Sequence, residues 1–207
     1  MIAIIDYGVG NLFSLQSSCK YIGQDAVVTA DPALIEAADQ IILPGVGAYE
    51  DAAKKLRESG MADIVTAQAK AGKPLMGICL GMQLLLEKSY EYGEHEGLGL
   101  IKGNVVPIKG VAPDSYKIPH IGWNALEFRG RAAEGAEPLF KYIKEGDHVY
   151  FVHSYYATDC ADSTIAVTEY GAELTAAVAD GNVYGCQFHP EKSGAVGLKI
   201  LQAFCEL

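Results

Sequence analysis

The first half of the chain alternates short runs of apolar and β-branched residues with stretches whose apolar positions recur at helical spacing. Ile2–Ile5, Ala26–Thr29, Gln40–Leu43 and Leu75–Ile78 read as buried strands, each ending in a turn signal. Between them, Leu12–Ile22 has helical periodicity and stops at Gly23, a residue suited to closing a helix. Asp31-Pro32 offers a capping side chain followed by proline at the first helical position. Tyr49–Ala71 reads as two helical pieces broken at Gly60. Strands separated by helices predict crossover connections and a mainly parallel sheet.

After Leu86 the texture changes. Leu98–Phe128 is rich in Gly, Pro and β-branched residues and lacks helical periodicity. His148–Tyr156, Ile165–Tyr170, Ala176–Ala179 and Asn182–Phe188 follow as strands, and a last helix is expected over Ser193–Glu206. The pattern predicts an α/β fold: a three-layer sandwich with a mainly parallel central sheet, to which the second half adds antiparallel or mixed strands. No repeat, low-complexity tract or linker divides residues 1–207, so they read as a single domain. Ligands of such sheets bind beyond the carboxyl ends of the strands. Four segments fall there: Asp6-Tyr7-Gly8-Val9-Gly10-Asn11, Pro44-Gly45-Val46-Gly47, Cys79-Leu80-Gly81 and His189-Pro190-Glu191.

Composition narrows the classes. Half of the 207 residues are apolar and 20% are charged, enough to bury a core and to exclude intrinsic disorder. Twenty-six acidic residues against 16 basic ones give a net charge of -10 with no run of Lys or Arg, which argues against nucleic acid and for small molecules or another protein as partners. No apolar run approaches the ~18 residues of a membrane span. The opening Met1-Ile2-Ala3-Ile4-Ile5-Asp6 lacks the regions of a signal peptide, so a cytoplasmic protein is expected. The cysteines (Cys19, Cys79, Cys160, Cys186 and Cys205) are odd in number and scattered, a pattern of reduced thiols and not of disulfides or zinc. His95, His120 and His148 show no metal spacing; no metal or other cofactor is expected.

The sharpest chemical feature is Gly77-Ile78-Cys79-Leu80-Gly81-Met82-Gln83. A buried strand runs into a helix through a cysteine flanked by glycine at two residues on each side. This is the thiol counterpart of a nucleophile elbow, and the helix that follows would direct its N-terminus at the sulfur and favour the thiolate. A buried structural cysteine is the competing reading. His189 ends a strand-like run, and Pro190 biases it to an extended conformation. Glu191, at an offset that shares a face in a flat strand, can hold the second ring nitrogen. A surface His-Pro-Glu turn is the alternative; cysteine and histidine together favour a Cys-His-Glu triad.

Pro44-Gly45-Val46-Gly47 lacks the Walker lysine and the GxGxxG pattern. An oxyanion hole suits it better, with one donor at Val46 and another at Leu80 after the nucleophile, although many such turns are glycine-rich for steric reasons alone. Gln83, four residues after Cys79, shares its helical face and can touch a substrate, or is simply a solvated helix residue. His153-Ser154-Tyr155-Tyr156 and Trp123 are weak signals alone, since packing explains them as well as recognition does.

Together these segments resemble the class I, triad-type glutamine amidotransferases, over about residues 2 to 205. Asp6–Asn11, Pro119-His120-Ile121-Gly122-Trp123-Asn124 and His153-Ser154-Tyr155 point to the branch that serves a cyclase. The resemblance implies a flavodoxin-like arrangement with Cys79 as nucleophile, His189 as base and Glu191 as its orienting partner. It further implies that glutamine is held by Gly47, Gln83, Glu91, His153, Ser154 and Tyr155. Asn11, Trp123, Tyr150 and Lys192 match positions at or near a partner interface. The partner implied is a separately encoded (β/α)8-barrel cyclase subunit, forming a heterodimer and receiving the ammonia. Other amidotransferase glutaminases, a non-catalytic flavodoxin-like module and a γ-glutamyl peptidase are the competing functions.

Overall fold

The computed structural model describes all 207 residues. The first half runs β1 (Ile2–Ile5), α1 (Leu12–Tyr21), β2 (Ala26–Thr29), α2 (Pro32–Ala37), β3 (Gln40–Leu43), α3 (Tyr49–Glu58), α4 (Met61–Lys70), β4 (Leu75–Ile78) and α5 (Leu80–Leu85). Short strands follow: β5 (Lys88–Ser89), β6 (His95–Glu96), β7 (Asn104–Pro107), β8 (His120–Ala125) and β9 (Glu127–Phe128), then α6 (Gly130–Ala133). The chain ends with β10 (His148–His153), β11 (Tyr155–Thr158), β12 (Thr164–Glu169), β13 (Glu173–Asp180), β14 (Val183–Cys186) and α7 (Gly194–Cys205). No helix is long and apolar enough to cross a membrane.

The central sheet has eight strands in the order β2-β1-β3-β4-β14-β13-β12-β9. The first five are parallel, and β13, β12 and β9 extend the sheet antiparallel. The apolar runs of β1, β3 and β4 are explained by burial on both faces, because successive residues feed opposite cores. Ala3, Ile5, Ile41, Leu43 and Leu75 belong to a core of 27 residues shared with α2, α3, α4 and α5. Ile2, Ile4, Ile42, Met76 and Ile78 belong to a core of 25 shared with α1 and α7. Neither face of the sheet is left to water, which makes the three-layer arrangement expected from the pattern.

The pairing of β14 with β4 matters most for the site. Cys186 lies opposite Ile78, and the N–H of Cys79 continues the ladder to the Cys186 carbonyl at 2.7 Å. Residues just beyond the ends of these two strands are therefore neighbours, although they are far apart in sequence.

The second half differs from expectation in its partitioning. The run His148–Tyr156 is two strands, broken at Ser154, because its pairing partner changes: β10 pairs with β8 up to His153–His120, and β11 pairs with β7 from Tyr155–Pro107. These strands leave the central sheet for a two-stranded ribbon (β10-β8) and a four-stranded sheet (β11-β7-β5-β6). β13 is longer than Ala176–Ala179 because Glu173 and Leu174 pair with Glu169 and Thr168.

Candidate active site

Cys79 sits between β4 and α5 with φ 56°, in the left-handed region, which costs a non-glycine residue on the order of 1–3 kcal/mol. Backbone packing of closer than side-chain distance holds it there. A Cβ on Gly81 would stand 1.9 Å from the Leu43 carbonyl oxygen; one on Gly77 would stand 2.6 Å from the oxygen of Gly81. The end of β3, the end of β4 and the first turn of α5 thus touch main chain to main chain. Helix α5 spans only six residues, all buried, so its dipole is shorter than a full helix would give. Besides the His189 ring, the polar neighbours of the sulfur are the Val152 carbonyl at 3.9 Å and the Gln187 Nε2 at 3.8 Å.

His189 follows β14 and is almost fully buried. Its N–H donates to the Tyr150 carbonyl (3.0 Å), and its carbonyl accepts from Ser193 Oγ (2.6 Å). That hydroxyl in turn accepts from the Tyr150 N–H (2.9 Å), so β10 braces the backbone on which the imidazole stands. The ring Nδ1 lies 2.9 Å from Glu191 Oε1. Glu191 does not reach it along a flat strand, as the spacing alone suggested. Pro190–Lys192 form a 3-10 turn, since proline cannot continue a ladder and fixes φ for a turn, and the turn folds the carboxylate back. Burial works to lower the His189 pKa, but its contacts with Cys79 and Glu191 outweigh that and lift it to about 9. Asn11 Nδ2 adds a second donor to Glu191 Oε1 at 3.3 Å.

Cys79 and His189 open together on a cavity of about 270 Å³. Val46, Gly47 and Leu80 line one side, and Gln83, Glu91, His153, Ser154 and Tyr155 line the rest. The amides of Val46, Gly47 and Leu80 donate to no other main-chain group. Gln83 is buried, not solvated: its Nε2 donates to the Tyr155 carbonyl (3.1 Å) and to Gln187 Oε1 (3.0 Å). Glu91 sits on the connection between β5 and β6, anchored where Oε2 accepts the N–H of Tyr49 (2.6 Å) at the start of α3.

His153 donates from Nδ1 to the Tyr155 carbonyl (2.9 Å), leaving Nε2 to accept from His120 Nδ1, also at 2.9 Å. Asn124 lies 2.9 Å from the other nitrogen of His120. Burial holds the His153 pKa down near 3 and lowers that of His120, against which the Asn124 oxygen works.

Four of the residues singled out from the sequence lie outside the cavity. Asn11 and Lys192 flank Glu191, the latter exposed on the turn that carries it. Trp123 and Tyr150 face each other across the β10–β8 ribbon, ring centroids 6.0 Å apart, with Trp123 52% exposed. Gln187 and His120 were not picked out as site residues. For Gln187 the signal was available, since it stands two residues before His189 and so on the same side of an extended chain. For His120 it was not, because only the register of β8 against β10 sets it opposite His153.

A protein from Caldanaerobacter subterraneus named imidazole glycerol phosphate synthase subunit HisH is 51% identical, with 100% of this chain and 98% of the relative covered. Like-named proteins from a Geobacillus species (50% identity, 100% and 97% covered) and Lactococcus lactis (48%, 99% and 98%) are similar. Among solved structures, a crystal structure of a glutamine amidotransferase superposes with TM-score 0.75 at 20% identity, covering 100% of this chain and 98% of the other. The structure of PurLQS from Thermotoga maritima gives 0.73 at 22%, covering 99% and 97%; at these identities the likeness is one of fold. The family described as glutamine amidotransferase class-I matches residues 3–206, and the chain belongs to it.

Proposed function

We propose that the chain is the glutaminase subunit of an imidazole glycerol phosphate synthase, residues 1–207 forming one glutaminase domain that works in the cytoplasm. The observation that carries the reading is a strained cysteine just past the end of β4 sharing one cavity with a His189–Glu191 pair held at 2.9 Å. The relatives of about half identity support the choice among amidotransferases.

In this mechanism His189, with its pKa lifted to about 9, takes the proton of the Cys79 thiol. The sulfur attacks the side-chain amide carbon of glutamine. The free amides of Val46 and Leu80 take the oxyanion, each donor worth on the order of 3–4 kcal/mol in comparable sites. His189 then passes its proton to the departing ammonia, leaving a γ-glutamyl thioester. As base, it next activates water, which releases glutamate and restores the thiol. Glu191 keeps the ring oriented and stabilises the imidazolium. Gly47, Gln83, Glu91, His153, Ser154 and Tyr155 hold the substrate.

Ammonia must leave unprotonated to remain a nucleophile, which calls for a partner over the exit. A (β/α)8-barrel cyclase subunit would take it, consuming a phosphorylated ribulosyl formimino nucleotide to make imidazole glycerol phosphate and an aminoimidazole carboxamide ribotide. Asn11, Trp123, Tyr150 and Lys192 would lie at or near that interface. The test is a coupled assay on the complex. Cys79→Ala abolishes synthesis from glutamine and preserves synthesis from added ammonia; loss of both, or of neither, overturns the reading.

A further inference from the structure

Gln187 has no role in the mechanism above, yet it is the most completely buried polar side chain touching the nucleophile. It is 0% exposed and follows directly on β14. Its own N–H still pairs with the Ala176 carbonyl of β13 at 2.9 Å, so the chain remains extended. Phe188 accordingly turns into the core on the α7 side, while Gln187 turns the other way, towards Gln83, with its amide nitrogen within reach of the Cys79 sulfur. A buried amide must satisfy both of its ends, and here each end has one partner. Oε1 accepts from Gln83 Nε2 at 3.0 Å, and Nε2 faces Cys79 Sγ at 3.8 Å.

The orientation of both amides follows from their acceptors. Gln83 has two oxygens before it, the Tyr155 carbonyl at 3.1 Å and Gln187 Oε1, and both of its N–H groups are used on them. A flipped Gln83 would set its oxygen against these two acceptors. The Gln83 oxygen is therefore the atom left for the cavity, where it accepts an N–H from a ligand. Gln187 in turn has its nitrogen directed at the sulfur because its oxygen is engaged.

We propose that Gln187 is a hydrogen-bond donor to the nucleophilic sulfur, favouring the thiolate, and that through Gln83 it also fixes the polarity of the substrate subsite. The substrate class this selects presents an N–H donor to Gln83, as glutamine does. The proposal deepens the glutaminase reading and rests on it for the identity of that ligand. The contact with sulfur does not depend on what the ligand is.

Two variants separate the two ends of the side chain. Gln187→Met keeps the length and removes both functions; Gln187→Glu keeps an acceptor for Gln83 and sets a carboxylate against the sulfur. Labelling of Cys79 by iodoacetamide at pH 7, followed by mass mapping of its peptide, reads the first function. Loss of a hydrogen bond to a charged group slows labelling by about tenfold in Gln187→Met, and more in Gln187→Glu. Unfolding would expose the sulfur and speed labelling, so a slower rate is not a stability effect. Glutamine hydrolysis by the complex with the cyclase reads the second. KM rises in Gln187→Met, while Gln187→Glu loses kcat and keeps its KM. Labelling as fast as wild type in Gln187→Met, with native circular dichroism, overturns the proposal even where Gln187→Glu does not fold. Wild-type complex that fails to hydrolyse glutamine would instead remove the glutaminase reading and leave the labelling comparison intact.

Discussion

At His189 two forces oppose each other: burial disfavours the imidazolium, while the sulfur of Cys79 and the carboxylate of Glu191 favour it. The second wins, with the pKa lifted to about 9. An NMR titration of the ring therefore shows a midpoint near pH 9, and Cys79→Ala moves it down. The same shift ties stability to pH. A pKa higher in the folded than in the unfolded chain gives stability that is complete below the unfolded value of about 6.5 and is lost as pH rises through 9. Urea midpoints at pH 6 and pH 9.5 check this, and Glu191→Gln narrows the difference. That variant also removes the charge that stabilises the imidazolium, and kcat for glutamine falls by roughly 10³–10⁴-fold. Cys79, His189 and Glu191 were legible in the sequence because glycine spacing and proline mark unusual backbone. The path by which Glu191 reaches the ring was not, since alternation describes strands and this residue stands in a 3-10 turn.

At the scale of elements, the glycines of the two turns act differently, and two substitutions show it. Gly81 lies where a Cβ would meet the Leu43 carbonyl oxygen at 1.9 Å, so Gly81→Ala must push α5 off β3. The expected cost is about 3 kcal/mol or more, at the upper end of ordinary overpacking, read as a lower urea midpoint. Gly47 has nothing within 4 Å of such an atom but a φ of +91°. Gly47→Ala costs about 1–2 kcal/mol of backbone strain, and its larger effect is on glutamine turnover. β1, β3 and β4 were readable because burial on both faces leaves an almost uniform apolar signature, whereas β2, also expected to be buried, is the half-buried edge strand with a neighbour on one side only. The break at Ser154 was hidden in a continuous β-like run, since what divides β10 from β11 is the change of neighbour from β8 to β7.

At the scale of the whole molecule, the ribbon of β8 and β10 joins the site to an apolar surface. Ile121 is 57% exposed and Trp123 52%, on a chain of net charge -10, while the opposite face of the ribbon buries His120 and His153. Trp123 packs on Tyr150, whose carbonyl receives the His189 N–H. If this is the docking face for the cyclase, Trp123→Ala weakens the complex by about 2 kcal/mol in a calorimetric titration, without lowering thermal stability. On the same condition, turnover of glutamine by the free chain is expected to be low and to rise when the cyclase and its nucleotide are added; equal rates with and without them would refute control through this face. One further consequence comes from the order of strands. β14 lies between β4 and β13, and Gln187, which faces the sulfur, lies 108 positions beyond it, with His189 two residues further on. If His189 is the base, a chain still emerging from the ribosome holds its thiol without one, and nascent protein would spare the cell's nitrogen donor until its final strand is threaded home.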